Sequence, residues 1–203
     1  FSLCKDLQYV KVSSSCEEIG NNAFEFCGLK EIILPEKLRS IGDEAFRYSD
    51  IKELSIPENV EKIGKDALLY CEKLEYLKIA GRDTIILCTI DATSLKTLIL
   101  PFIGKSRNNI MQLSEMLSGD LDTNYLKTVI LLDSCTSISE KAFAGIKDVD
   151  IYCYADEDTI VWPDGWNNGN KVHYMNQWNY ISFIANGKLI SSSAHGIGDA
   201  IKI

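Results

Sequence analysis

The sequence predicts an α/β solenoid: a right-handed superhelix of about seven coils, each giving one short parallel strand, closed by a C-terminal cap with a β-hairpin. Three observations point to it. Segments of the form apolar-x-x-apolar-x-apolar recur at 7–12, 29–35, 51–57, 74–79, 95–101, 126–132 and 149–154. Their starts lie 22, 22, 23, 21, 31 and 23 residues apart, a near-constant period. A second motif, Ile-Gly-x-x-Ala followed by Phe or Leu, returns in step with the first at 19–24, 41–46 and 63–68, with a looser copy at 138–143.

Each coil justifies its parts in order. The Ile-, Leu- and Val-rich segment is a strand that turns three side chains to one side. Pro35, Pro57 and Pro101 then end it, because proline removes a ladder donor. Leu38 or Val60 follows as an apolar rung, then Ile41 or Ile63. Ile-Gly comes next, with one helical turn carrying Ala-Phe before the return to the next strand. In Ile-Gly-Asp-Glu-Ala-Phe (41–46), Ile41, Ala45 and Phe46 are expected to face inward. Gly42 is read as permitting a backbone turn costly to other residues, and Asp43 and Glu44 as facing water.

A coil of about 22 residues with one short strand is the leucine-rich-repeat class of solenoid. The local form resembles the BspA-like, or Treponema-type, leucine-rich repeat family. Its pattern of Leu-x-x-Ile-x-Leu-Pro, then Ile-Gly-x-x-Ala-Phe-x-x-Cys, stands at 29–35 and 41–46. Cys27 and Cys71 match the cysteine, and Tyr48-Ser49 takes the corresponding place between them. The resemblance covers residues 1–154, the solenoid domain, and leaves 155–203 as cap and tail. It implies surface-exposed or secreted bacterial proteins that adhere to host or microbial partners.

Two coils depart from the pattern. After Ile79 the length is kept but Ile-Gly and Ala-Phe are lost. After Pro101 the coil is long by about nine residues. There Ile110, Leu113, Met116 and Leu117 fall at helical spacing, with Gly119 as a stop, which predicts a longer convex helix. Residues 155–181 break the period and hold Trp162, Trp166 and Trp178, suited to closing an open solenoid end. Asn186-Gly187 between alternating apolar residues is a hairpin signal.

Composition narrows the function. The 203 residues carry a net charge of −8, which argues against nucleic acid, since that ligand needs a concentrated positive patch. No apolar run is long enough to span a membrane. The chain opens mid-pattern without Met, so it reads as a segment of a longer protein.

No catalytic, cofactor-binding or metal-binding residues emerge. The seven cysteines contain no Cys-x-x-Cys pair. Cys4, Cys27 and Cys71 precede their strands and suit buried structural positions as weak donors to backbone. His173 and His195 lie beyond the array, so no Cys–His pairing is indicated. Asp120, Asp122 and Asn124 resemble the start of a calcium loop, but Tyr125 and Leu131 stand where it needs Gly and Glu. No cofactor is implied.

What remains is a surface. The outward strand positions stack into columns. The first holds Gln8, Lys30, Lys52, Glu75, Lys96, Lys127 and Asp150. The second holds Tyr9, Glu31, Glu53, Tyr76, Thr97, Thr128 and Ile151, and the third Lys11, Ile33, Ser55, Lys78, Ile99, Ile130 and Cys153. The lysines Lys30, Lys52, Lys96 and Lys127, edged by Tyr9, Tyr76 and exposed Ile33, Ile99 and Ile130, form the expected protein-binding strip. The alternative is that the lysines only keep the sheet soluble, and that the array is a spacer or accessory domain of a larger protein.

Overall fold

A computed structural model of the chain describes residues 1–119, 125–154, 160 and 162–174, with the backbone of 182–185 and 188–191. Eight parallel strands, one per coil, run through it: Tyr9–Lys11, Glu31–Ile33, Glu53–Ile56, Tyr76–Ile79, Thr97–Leu100, Thr128–Leu131, Asp150–Cys153 and Lys171–Tyr174. They are called coils 1 to 8 below. Coils 3–8 form one sheet in sequence order, and coils 1 and 2 pair with each other. The Lys52 N–H donates to the Lys30 carbonyl at 3.4 Å, joining coil 3 to coil 2. Inward residues such as Leu54, Ile56, Leu77 and Leu98 are buried in a continuous core.

The ladder is one strand longer than the seven expected. Lys171–Tyr174 pairs with Asp150–Cys153 in parallel register, although its coil lacks both repeat motifs. One register also differs. Thr128 stands beside Asp150, and Ile130 beside Tyr152, so Ile151 and Cys153 point into the core and not into the outward columns. Val149, Ile151 and Cys153 alternate with polar or aromatic residues. Period two fixes that inward set, and a slip of one residue flips every side chain.

A second parallel ladder runs through the Ile-Gly rung, pairing Ile19, Ile41, Ile63 and Ile86 in turn. Ile86 fills this rung in the coil that lost Ile-Gly. The Ala-Phe segment is not a helical turn. Its alternate amides reach sideways to the next coil: Asn22 N–H to Asp43 O at 2.9 Å, Phe24 to Ala45 at 2.8 Å and Phe26 to Arg47 at 2.9 Å. Glu44, Phe46 and Tyr48 repeat this toward Lys65, Ala67 and Leu69. Left-handed φ recurs at the same two places of the motif, at Asn22 and Phe26, Glu44 and Tyr48, and Asp66 and Tyr70. One helical turn would leave its first N–H groups without partners. Here the intervening amides of Ala23, Glu25 and Cys27 close turns within the coil, and the alternate ones bond coil to coil.

Ile41, Ala45 and Phe46 are fully buried as expected, and Phe1, Phe24 and Phe46 stack at centroid distances of 5.8 and 5.7 Å. Gly42 is needed for a different reason than turn geometry. Its φ is not left-handed, but an added Cβ would stand 2.5 Å from Asn21 N and Oδ1 of the previous coil. Asp43 is not merely solvated either. Its N–H donates to Asn21 Oδ1, and its own Oδ1 accepts the Lys65 N–H, both at 2.8 Å. Glu44 pairs with Arg47 at 2.6 Å.

The expected long helix after Pro101 is four residues, Leu113–Met116. Ile110 belongs instead to a hairpin strand, Asn109–Ile110, paired antiparallel with Gly104–Ser106. Leu117–Ser118 leaves the helix to pair in parallel with Ile90–Asp91. The periodic apolar residues are thus split among three elements: a hairpin strand holding Ile110, the short helix holding Leu113 and Met116, and a ladder strand holding Leu117. Gly119, at φ +100°, is not the helix stop expected of it: the helix already ends at Met116, with extended Leu117 as its C-cap, and Gly119 follows the strand Leu117–Ser118.

At the far end Trp166 is buried, edge-on to Phe143 at 5.7 Å, with Trp162 packed at 4.7 Å. Asn170 ties this coil back: its amide donates to the Ile146 carbonyl at 2.8 Å, and its Oδ1 accepts the Val149 N–H at 3.1 Å. Trp178 lies outside the described residues. Ser182–Ala185 and Lys188–Ser191 pair antiparallel, as a hairpin requires, while its Asn186-Gly187 turn is also outside them.

Candidate interaction face

Stacking in register makes the outward columns real, and the face divides into two halves. On coils 1–3 it is open. Tyr9 and Ile33 are each 50% exposed, and Lys11, Glu31, Glu53 and Ser55 are exposed beside them. Lys30 Nζ donates to Gln8 Oε1 at 3.2 Å, across one coil. Lys52 is exposed in the same column. These are residues predicted from the sequence, and the ladder brings them onto one rigid surface.

On coils 4–6 the face is covered. Tyr76 is 2% exposed, Ile99 0% and Ile130 4%. With Leu132 they form a second apolar cluster, separate from the solenoid core, against which Tyr152 and Tyr154 pack. Thr97 and Lys78 are buried there too. The expectation of exposed Ile99 and Ile130 is therefore overturned, and Tyr76, expected at the edge of the strip, is buried with them. Their column positions are as read, but they are closed to solvent, with Tyr152 and Tyr154 packed against them. Among the described residues the buried Tyr76 hydroxyl has no hydrogen-bond partner, and burial drives its pKa well above the ordinary phenol value. Lys96 sits at the rim in an ion pair with Glu75 at 2.6 Å, worth under about 1 kcal/mol at such exposure. Lys127 is exposed.

Two features escaped the sequence reading. On coil 8, His173 Nε2 lies 2.8 Å from Asp150 Oδ1, and its ring stacks on Tyr152 at 4.4 Å. The signal was the 21-residue step from Asp150 to Lys171. Along another edge, Phe26, Tyr48 and Tyr70 form a partly exposed stack at 4.3 and 4.6 Å. The Arg47 guanidinium lies 5.2 Å from the Tyr48 ring and 5.7 Å from the Tyr70 ring. An aromatic residue precedes Cys27, Ser49 and Cys71 in every case, at the repeat spacing.

The cysteines behave as structural thiols in most positions. Cys27 Sγ donates to the Phe1 carbonyl at 2.9 Å, and Cys71 Sγ to the Phe46 carbonyl at 3.2 Å. Ser49 fills the intervening place, with its hydroxyl 3.5 Å from Cys71 Sγ. Cys4 is the exception: it is exposed. Burial pushes Cys71 up to about 11 and Cys88 to about 12, the opposite of an activated nucleophile.

Repeated parallel coils with one outward sheet face define a leucine-rich-repeat solenoid. The family model described as the BspA type leucine rich repeat region matches residues 1–111 in 6 copies. The chain belongs to that family. No curated protein matches it. Among solved structures it is similar to a leucine-rich repeat protein from Bacteroides ovatus ATCC 8483, with 28% identity and a TM-score of 0.50, over 89% of this chain and 48% of that one. It also matches a leucine rich cell surface protein from Faecalibacterium prausnitzii A2-165, at 14% identity and TM-score 0.39, over 77% and 62% of the two chains. The chain thus spans under half the length of the Bacteroides protein. Among the described residues no helix is long and apolar enough to cross a membrane.

Proposed function

We propose that the chain is a non-enzymatic protein-binding module that adheres, through the outward face of its solenoid, to a host or microbial surface protein. The observation that carries this reading is the open half of the face. Tyr9 and Ile33, half-exposed on a hydrogen-bonded ladder, stand beside Lys30 and Lys52. A preformed sheet face binds without the ordering cost that a flexible segment meets. Tyrosine and exposed aliphatic groups supply the apolar contact, and the lysines favour an acidic rim on the partner. Placement at the bacterial cell surface or in the secreted fraction rests on family membership.

The test is binding of the purified chain to a panel of immobilised extracellular-matrix and bacterial surface proteins. A variant carrying Tyr9→Ala, Lys30→Glu, Ile33→Asp and Lys52→Glu, with an unchanged circular dichroism spectrum, should lose at least about tenfold in affinity, about 1.4 kcal/mol. Undiminished binding by that variant would remove the face from consideration. A second reading, a spacer or accessory unit of a larger multidomain protein, is favoured by the chain's spanning 48% of the Bacteroides protein. It expects no partner for the isolated chain.

A further inference from the structure

The covered half of the face poses a question of its own: what lies over it. Outward positions on coils 1–3 are open, yet Tyr76, Thr97, Ile99, Ile130 and Leu132 are buried. Among the described hydrophobic residues, Tyr152 and Tyr154 flank this cluster, and both belong to the next coil of the same sheet. Residues 120–124 (Asp-Leu-Asp-Thr-Asn) and 155–159 (Ala-Asp-Glu-Asp-Thr) are rich in carboxylates, which are poor covers for an apolar surface. The C-terminal hairpin has the needed chemistry. Its register places Phe183 opposite Ile190 and Ile184 opposite Leu189. Successive pairs alternate sides, so each face carries one apolar pair: Ile184 and Leu189 share a face with Ser182 and Ser191, and Phe183 and Ile190 share the other with Ala185 and Lys188. A two-stranded hairpin is marginal by itself and needs a surface to pack on.

Reach is sufficient. Seven residues, 175–181, separate coil 8 from the hairpin, and eight backbone steps extend to roughly 26 Å. Coil 4 is four strands from coil 8, about 19 Å at the usual strand spacing.

We propose that the hairpin Ser182–Ala185/Lys188–Ser191 packs on the outward face of coils 4–6. The chain then carries its own occupant for that half of the face. This rests on the reading of the outward face as the binding surface only where the hairpin is called an occupant of it. An outside partner for this half has to present an extended segment with an apolar side and displace the tail.

Hydroxyl-radical footprinting of the full chain, read by mass spectrometry, tests the contact without requiring any partner. Failure of the binding reading therefore leaves this result standing, and the reverse. In the unaltered chain Tyr76 should be oxidised far more slowly than Tyr9. Two double variants probe the two sides of the hairpin, Phe183→Asp with Ile190→Asp, and Ile184→Asp with Leu189→Asp. At least one should raise Tyr76 oxidation several-fold while core Phe46 stays protected. Protection of Tyr76 in both variants overturns the proposal. So does a rise at Tyr76 that comes only together with Phe46, since that is general unfolding, or a Tyr76 that is as reactive as Tyr9 from the start.

Discussion

Asp43 reaches across one coil to Lys65: its Oδ1 accepts the Lys65 N–H at 2.8 Å, just as Asn21 Oδ1 accepts the Asp43 N–H. The exposed position of the repeat motif is therefore a coil-to-coil fastening. Asp43→Ala and Asp43→Lys should each lower stability by about 1 kcal/mol, the net worth of such a bond, while Asp43→Asn should be nearly neutral because asparagine already does this at position 21. Phe46→Ala, which empties a fully buried stacked position, should cost about 3–5 kcal/mol. Urea unfolding of the four variants gives the order directly. An Asp43→Asn as damaging as Asp43→Lys would contradict the assignment.

The motif glycines should differ by position although their local sequence is alike. A Cβ at Gly64 would stand 2.5 Å from Asp43 N and Oδ1 and from Gly42 C, whereas one at Gly20 meets nothing within 4 Å. Backbone atoms on the neighbouring coil cannot step aside, so Gly64→Ala should destabilise by about 1–3 kcal/mol. Gly20→Ala has no clash and should be neutral or stabilising by about 0.4–1 kcal/mol, through the unfolded chain. Melting temperatures of the two variants, moving in the same direction by the same amount, would defeat this account.

Thiol titration offers a third check. Burial raises Cys71 and Cys135 from 9.0 to about 11, and Cys88 and Cys153 to about 12. The folded state holds these protons more tightly than the unfolded chain, which releases them near 9.0. Their contribution is complete below that value and is lost as pH rises from 9.0 through the folded values. Urea midpoints should be flat below pH 9 and fall above it, with a shallower fall in Cys71→Ala. In the native chain at neutral pH a thiol reagent should modify exposed Cys4 and then half-exposed Cys16, with the buried thiols responding only after unfolding. Early modification of Cys71 would show that its burial does not hold in solution.

Most of the architecture could be read from spacing alone, because each coil repeats the same inward set, and a period of 22 residues announces it. Ile41, Ala45, Phe46 and the strand positions followed from that rule. Errors arose where a local pattern competes with the ladder. Val149-Asp-Ile-Tyr-Cys alternates strictly, and this alternation decided the register that motif alignment misplaced by one. Leu113 and Met116 had helical spacing, but Leu117 gained a parallel partner in Ile90 and left the helix.

On the face, column membership is a property of the repeat and was legible. Exposure is not. Whether Ile33 or Ile99 meets water depends on what lies over it, and no feature of the strand sequence distinguishes them. The carboxamide and carboxylate at 21 and 43 were misread for a related reason: side chains pointing away from the core were taken to be free.

The sideways amide bonds of the Ala-Phe segment and the Asn21–Asp43–Lys65 relay have a wider effect. Each coil is fastened chiefly to the one before and the one after it, so stability becomes a property of junctions and not of the molecule as a whole. Damage at one junction divides the array into two shorter stacks, each held by its own remaining junctions. A surface read by such an array can then lose one segment of its recognition face while the remainder stays folded.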